Sequence, residues 1–123
     1  MSERPEIDYP DGPPPRELEI VDITEGDGAE AAPGTTAVVH YVGVAYSTGE
    51  EFDASWNRGE PFAFPLGAGQ VIAGWDRGVV GMKVGGRRRL VIPPDLGYGD
   101  RGAGSAIGAG ETLIFVVDLL DVR

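Results

Sequence analysis

The sequence predicts an α+β fold in which an antiparallel β-sheet of five or six strands wraps around one short α-helix. Three observations predict it. Short runs rich in β-branched and aromatic residues alternate in polarity, as half-buried strands do. Hairpin-length connections join most of these runs, which favours antiparallel pairing. A single window, residues 70–82, carries apolar residues at helical spacing.

The first strand segments lie in the N-terminal half of the chain. LEIVDI, which starts at Leu18, is short and β-branched, and the TEGDGAEAAPGT that follows has the composition of a turn. Residues 36–46, TAVVHYVGVAY, alternate well, with Val39 and Tyr41 on one face and His40 on the other. STG then turns the chain before EEFDAS.

The remaining strands are predicted by the same alternation. PFAFPL, residues 61–66, places Phe62, Phe64 and Leu66 on one face. RRRLVIP is predicted as a further strand. Residues 112–122 form the final strand, and one of its sides carries four apolar residues: Leu113, Phe115, Val117 and Leu119.

The predicted helix in QVIAGWDRGVVGM is poor by propensity. Its apolar face consists of Ile72, Trp75, Val79 and Met82. Three glycines, at positions 74, 78 and 81, interrupt it, and each costs about 1 kcal/mol relative to alanine in a helix interior. Such a helix gains its stability from packing, so we expect it to lie in the hollow of the sheet with Trp75 on the floor. The three glycines would let backbone approach backbone there.

Two segments fall outside this pattern. Residues 1–16 are acidic and proline-rich, and we expect them to be a tail without a core of its own, preceding one domain at 17–123. Residues 93–111 form an unusually long loop that carries Tyr98 and Ile107 among glycines. Apolar residues in such a loop suggest a flap over a site.

The composition argues against several classes of function. A formal net charge of −10 repels nucleic acids and anionic membranes, so we expect neither as a partner, and we interpret Arg87, Arg88 and Arg89 as a solvated strand end. Without cysteine no disulfide is expected, and with His40 as the one histidine a metal site would have to be built from oxygen ligands. No signal peptide and no long apolar run are recognised, so a cytoplasmic location is expected.

The sequence lacks the common arrangements of covalent catalysis. It has no G-x-S-x-G elbow, no phosphate-binding loop and no cysteine nucleophile. Asp53, directly after Phe52, is by itself more simply read as structural. Seven aromatic residues fall on predicted strand faces, the helix and the loop, and together they favour an apolar ligand pocket over a core alone: Tyr41, Phe52, Phe62, Phe64, Trp75, Tyr98 and Phe115.

Several motifs resemble one family. VVHYVG, FDAS, PFAFPLGAGQVIAGWDRGVVGMKVGGRRRLVIPPDLGYG and TLIFVVDLLDV resemble the FKBP-type peptidyl-prolyl cis-trans isomerases over residues 17–123. The family fold is a five- or six-stranded antiparallel sheet around one short helix, with its ligand pocket between the two. The resemblance implies an isomerase that needs no cofactor and no metal, acts on proline-containing polypeptides and binds macrolide immunosuppressants such as rapamycin.

The resemblance also implies the residues of the site. The catalytic set would be Tyr98, Asp53, Trp75 and Phe115. The substrate-binding set would be Tyr41, Phe52, Arg58, Phe62, Val71, Ile72 and Ile107. In this interpretation Trp75 supports the proline ring, the Tyr98 hydroxyl binds a substrate carbonyl, and Asp53 holds Tyr41 while Arg58 keeps Asp53 ionised.

The sequence departs from the family pattern in the flap, where Gly108-Ala109 stands in place of a frequent Pro-Pro. Trp56 adds an aromatic side chain that we expect near the rim of the pocket. Two alternatives stay open: a binding module without catalysis, and a holdase chaperone, which the missing inserted domain disfavours. A monomer is expected.

Overall fold

The sheet is centred on its two ten-residue strands, β2 (Thr36–Ala45) and β6 (Leu113–Val122), which pair antiparallel along their length. The computed structural model describes residues 13–99, 107–108 and 110–123. Within these residues four further strands complete the sheet: β1 (Glu19–Thr24), β3 (Glu51–Ala54), β4 (Phe62–Pro65) and β5 (Arg87–Ile92). The spatial order is β1-β5-β6-β2-β3, and β4 also pairs with β2. All pairings are antiparallel, as predicted.

Two short α-helices occur in the described chain, α1 (Ser55–Arg58) and α2 (Ala73–Gly78), and a 3-10 helix spans Pro94–Leu96. α2 is the predicted helix, but it ends at Gly78 rather than extending to Met82. α1 was not predicted, because a single turn carries no periodicity. None of the described helices is long and apolar enough to cross a membrane.

The main core lies between α2 and one face of the sheet, which we call the inner face. Its strand residues alternate as the sequence predicts, so Val39 and Tyr41 of β2 pack with Phe115 and Val117 of β6. On the opposite, outer face a smaller cluster contains Val44, Tyr46, Val91 and Ile114. The inner face therefore holds both the helix and most of the buried apolar side chains.

Two of the three helix glycines allow α2 to lie close to β5. A Cβ atom on Gly74 would approach Ile92 to 2.5 Å, and one on Gly78 would approach Leu90 to 2.7 Å. The close neighbours are side chains, not backbone as predicted. Gly81 has a different role, because no atom lies within 4 Å of its hypothetical Cβ and its φ of +90° marks a left-handed turn.

The expectation of a solvated arginine end on β5 is wrong. Arg88 is 8% exposed, and its guanidinium donates to Asp22 of β1 and to the carbonyls of Gly78 and Val80. Arg87 forms a bidentate ion pair with the buried Asp118 at 2.6 and 2.9 Å. The sequence could not reveal this, because the carboxylates and carbonyls that bind the arginines come from other elements.

The two irregular segments are only partly described. Residues 1–12 of the predicted tail, and residues 100–106 and 109 of the predicted flap, lie outside the described residues. The base of the flap is described, and there the Gly110 N–H donates to the Gly99 carbonyl at 2.9 Å. The boundary of the domain at residue 17 and the flap interpretation stay predictions.

Candidate functional site

A cavity of about 490 Å³ opens between α2 and the inner face of the sheet, with residues from four strands around it. Its described lining is mostly aromatic and aliphatic, with a few polar groups: Tyr41, Phe52, Asp53, Phe62, Gly69, Gln70, Val71, Ile72, Trp75, Tyr98 and Phe115. A concave apolar cavity with a small number of polar side chains is the usual form of a ligand site.

Trp75 of α2 is the centre of the aromatic lining. Its ring centroid lies 4.9 Å from that of Tyr41 and 5.2 Å from that of Phe115, both nearly perpendicular to it. Phe62 and Phe64 approach it at 6.0 and 5.4 Å. Trp75 is only 4% exposed, yet it borders the cavity, so its packing is fixed while part of the ring faces an open volume.

A second aromatic pair forms the wall next to β3. Phe52 and Phe115 meet edge to face, with centroids 5.4 Å apart and planes at 89°. Gly43 of β2 lies beneath them, and a Cβ atom there would come within 2.6 Å of Phe115 and 2.7 Å of Phe52. Gly43 therefore makes room for this wall, a role that the sequence analysis missed.

The polar edge of the cavity consists of Tyr41, Asp53 and Arg58. The Tyr41 hydroxyl donates to Asp53 Oδ2 at 2.5 Å, and Arg58 donates to Asp53 Oδ1 and to the Tyr41 hydroxyl, both at 2.8 Å. The short helix α1 makes this closed triangle possible, because it follows β3, which carries Asp53, and returns Arg58 toward β2. Asp53, which lines the cavity, is thus held in place by hydrogen bonds to both of its carboxylate oxygens.

The hydrogen bonds of this triangle set its protonation states. Burial alone would raise the pKa of Asp53, but the hydrogen bonds from Tyr41 and Arg58 outweigh it and lower the pKa below its usual value. Burial, and then the hydrogen bond to Asp53, raise the pKa of Tyr41. The hydrogen bonds to Tyr41 and Asp53 raise the pKa of Arg58. Near neutral pH the site therefore presents a carboxylate, a neutral phenol and a guanidinium.

Tyr98 supplies a polar group from the loop that follows the 3-10 helix. It lines the cavity while 39% exposed, and burial followed by the charge of Asp53 raises its pKa. Its hydroxyl is therefore a neutral hydrogen-bond donor at physiological pH. A donor at the mouth of an apolar cavity can bind a carbonyl oxygen of a ligand.

The loop before α2 forms one wall and contains two residues that the sequence analysis did not assign, Gly69 and Gln70. Asp76 of α2 accepts hydrogen bonds from the N–H groups of Gly67 and Gly69 at 2.9 and 3.0 Å. Both glycines have a positive φ, so the loop is tightly turned there. An acidic residue in the first turn of the helix was the available signal, and it was overlooked.

Nine of the eleven predicted site residues line the cavity. Arg58 does not, but it binds Asp53 and Tyr41, as described above. Ile107 is buried in the main core and is not among the described lining residues. The expected rim position of Trp56 is wrong, because Trp56 stacks on His40 with ring centroids 4.2 Å apart, and neither lines the cavity.

The described residues also form a smaller cavity of about 270 Å³ beside β1 and β5. Its lining is charged and includes Asp22, Glu25, Glu30, Lys83 and Arg88, without an aromatic residue. Within the described part of the chain, no group of three or more His, Asp or Glu residues could hold a metal ion. The aromatic cavity is therefore the better candidate site.

Comparisons with known proteins point to one family. The family model described as FKBP-type peptidyl-prolyl cis-trans isomerase matches residues 28–120. The chain is 69% identical over 121 residues to a protein named FK506-binding protein from Streptomyces anulatus, covering 98% of each chain. It is 54% identical over 118 residues to a probable FK506-binding protein from Corynebacterium glutamicum, covering 96% of this chain and 98% of the other.

Solved structures agree with these relatives. The crystal structure of AtFKBP13 matches 86% of this chain and 93% of its own, with a TM-score of 0.80 and 39% identity. The crystal structure of FkpA from Escherichia coli matches 86% of this chain with a TM-score of 0.78 and 42% identity. This chain covers 48% of FkpA.

Proposed function

Because the chain belongs to the FKBP-type peptidyl-prolyl cis-trans isomerase family, we propose that it accelerates rotation about X-Pro bonds of polypeptides in the aromatic cavity. The observation that carries this proposal is the cavity of about 490 Å³ beside Trp75, lined by aromatic rings and by the Asp53 carboxylate. An apolar volume of this kind can accept a proline ring.

The proposed reaction breaks no covalent bond. Rotation about a peptide bond faces a barrier of about 18–20 kcal/mol, because the twisted amide loses its resonance. Catalysis therefore needs a site that binds the twisted amide more tightly than the planar one, and every tenfold acceleration requires about 1.4 kcal/mol of such preference. This fits a sequence without the usual nucleophile arrangements.

The walls of the cavity supply the first part of that preference. The planar amide is more polar than the twisted amide, so removal from water destabilises the planar form more. Trp75 supports the proline ring, and Tyr41, Phe62, Val71, Ile72 and Phe115 enclose it. Their contacts with one another hold the apolar surface in place before the substrate arrives.

The polar groups orient the substrate. The Tyr98 hydroxyl donates to a substrate carbonyl and fixes its direction relative to the ring on Trp75. Asp53 keeps Tyr41 in position and gives the cavity a charged edge, and Arg58 keeps Asp53 ionised. None of these groups needs to exchange a proton during rotation.

The same cavity is proposed to bind macrolides such as rapamycin, which would compete with proline peptides. The names of the relatives favour a second candidate function, because they describe binding of FK506 rather than isomerisation. A macrolide-binding or proline-binding module without turnover would use the same walls. We expect a monomer in either case, because a net charge of −10 disfavours self-association.

A protease-coupled assay with a proline tetrapeptide, with and without rapamycin, tests both functions. We expect acceleration that rapamycin abolishes and that Trp75→Leu greatly reduces. Trp56→Leu is the comparison variant: it removes an indole that does not line the cavity, so it should reduce the acceleration far less than Trp75→Leu. Rapamycin binding without acceleration would support the binding module. A protein that neither binds rapamycin nor accelerates isomerisation would contradict the proposed use of the cavity.

A further inference from the structure

The strand pairing of β2 is interrupted on the edge that faces β3 and β4. Its residues 42–44 pair with β3, and its residues 36–39 pair with β4. Residues 40 and 41 lie between these two ladders, where the described strands offer them no partner on this edge. Helix α1 occupies the gap instead, because the chain turns into it directly after β3.

The Ser55 side chain makes the hydrogen bonds to β2 that a neighbouring strand would otherwise make. Its hydroxyl oxygen accepts the Tyr41 N–H at 2.7 Å and lies 3.4 Å from the Tyr41 carbonyl oxygen. Ser55 is fully buried, so water does not compete for these groups. A single hydroxyl therefore serves both backbone polar groups of Tyr41, which a strand would otherwise have paired.

His40 holds that hydroxyl from the outer face of the sheet. Its Nδ1 shares a hydrogen bond with Ser55 Oγ at 2.8 Å, and its ring stacks on Trp56, the next residue of α1. The two contacts join β2 to α1 on the side of the sheet away from the cavity. Asp118, directly opposite His40 on β6, is already bound by Arg87.

We propose that Ser55 and His40 are positioning residues for the polar edge of the cavity. Tyr41 is the link, since its backbone binds Ser55 while its hydroxyl binds Asp53 and Arg58. Asp53 and Arg58 flank Ser55 in sequence, so the hydroxyl fixes α1 against β2 at the point that sets the geometry of the triangle. This inference rests on the proposed function of the cavity.

The test is a double-mutant cycle between Ser55→Ala and Tyr41→Phe, measured by kcat/KM and by Tm. In the wild-type background Ser55→Ala should lower kcat/KM about fivefold, because Tyr41 and its two partners lose their alignment. In the Tyr41→Phe background the same change should lower it by less than about twofold, because the hydroxyl that Ser55 positions is already gone.

Ser55→Ala should lower Tm by the same amount in the wild-type and Tyr41→Phe backgrounds. An equal loss of kcat/KM in both backgrounds would mean that Ser55 only stabilises the fold and would overturn the proposal. Thr35→Val is the matched control: it removes a half-buried hydroxyl whose bond, to the Ala32 carbonyl, lies outside the site. This variant should leave kcat/KM unchanged.

Two variants of His40 separate its contacts. His40→Asn retains a polar group near the position of Nδ1 and should keep most of the activity, whereas His40→Phe retains only the stacking on Trp56 and should resemble Ser55→Ala. The reverse order would overturn the role assigned to the hydrogen bond.

A spectroscopic measurement keeps this test separate from the proposed function. The guanidinium N–H signals of Arg58 in NMR spectra should be sharp in the wild-type protein and broadened by Ser55→Ala, even in a protein that shows no turnover. Unchanged Arg58 signals in that variant would overturn the positioning role. A wild-type protein with sharp signals but no isomerase activity would contradict the proposed function alone.

Discussion

At the scale of the residue, Tyr41 combines a structural and a site role in one side chain. Its backbone is held by Ser55, its hydroxyl by Asp53 and Arg58, and its ring contacts Trp75. The ring position was predictable from the alternation of β2. The Tyr41–Asp53 contact was expected only from the family resemblance. The bonds from Ser55 and from Arg58 to Tyr41 were not expected, because they join residues separated by 14 and 17 positions in the chain.

Removal of the Tyr98 hydroxyl tests its role in orientation. Tyr98→Phe should lower kcat several-fold in the protease-coupled assay, because the ring remains while the donor to the substrate carbonyl is lost. Tyr98 is 39% exposed, so its Tm should change little. Tyr46→Phe, in the outer cluster, is the matched control. Equal turnover of Tyr98→Phe and wild type would reduce Tyr98 to a packing role.

The acid side of the stability profile tests the charge of Asp53. Its folded-state pKa lies below the unfolded value, so the stabilisation by the ionised form is complete above the unfolded pKa and is lost as the pH falls through the folded pKa. Asp53→Asn should therefore have a lower Tm than wild type at pH 7, and the difference should narrow below about pH 4. A constant difference across this range would contradict the assignment.

At the scale of the element, the position of helix α2 depends on the absence of side chains at two of its residues, Gly74 and Gly78. Gly74 and Gly78 cost helix propensity, yet they allow the approach to β5 that brings Trp75 to the cavity. Trp75 therefore lies in a helix of low propensity because side chains at positions 74 and 78 would prevent this approach. The sequence predicted the burial of the helix but not its length, because Val79 and Met82 continue the apolar spacing beyond its end at Gly78.

The effect of Gly78→Ala on stability should change sign when its neighbour Leu90 is shortened, which tests this packing. Gly78→Ala should lower the free energy of unfolding by about 1–3 kcal/mol, because the added Cβ overlaps the methyl groups of Leu90. In a Leu90→Val background those methyl groups are absent, so the same change should be neutral or stabilising through helix propensity. Urea unfolding measures both. Gly108→Ala, which has open space around it, is the control, and equal losses in both backgrounds would contradict the steric explanation.

Helix α1 marks a limit of sequence reasoning at this scale. Its four residues carry no apolar period, and its N-cap, Ala54, forms no side-chain capping bond. The helix exists because Ser55 fills the gap beside β2 and Trp56 packs on His40. Both are tertiary contacts, so the prediction placed Trp56 at the wrong side of the sheet.

At the scale of the whole molecule, the charge of −10 should influence which peptides reach the cavity. A strongly acidic protein attracts cationic ligands, and salt screens this attraction within a Debye length of about 10 Å at 0.1 M. Proline peptides with a distant lysine should therefore show a KM that rises with salt. Matched glutamate peptides should show the opposite or no trend, and identical salt dependence would contradict electrostatic attraction.

The order of the strands in the sheet depends on contacts between distant parts of the chain, so no single segment predicts it. The alternation predicted that strands would form and which faces they would bury. It did not predict that β1 would pair with β5 at one edge, where Ile20, Val21 and Ile23 stay 40–52% exposed. Arg88 secures this edge by joining β1 to the end of α2.

Because the two indoles lie in different places, intrinsic tryptophan fluorescence can report on the cavity. Trp75 borders the cavity, whereas Trp56 stacks on His40 outside it. An occupant of the cavity will therefore change the emission of one fluorophore and leave the other as an internal reference. A Trp56→Phe variant will isolate the informative signal, so occupancy can be followed in real time without a label or a coupled reaction.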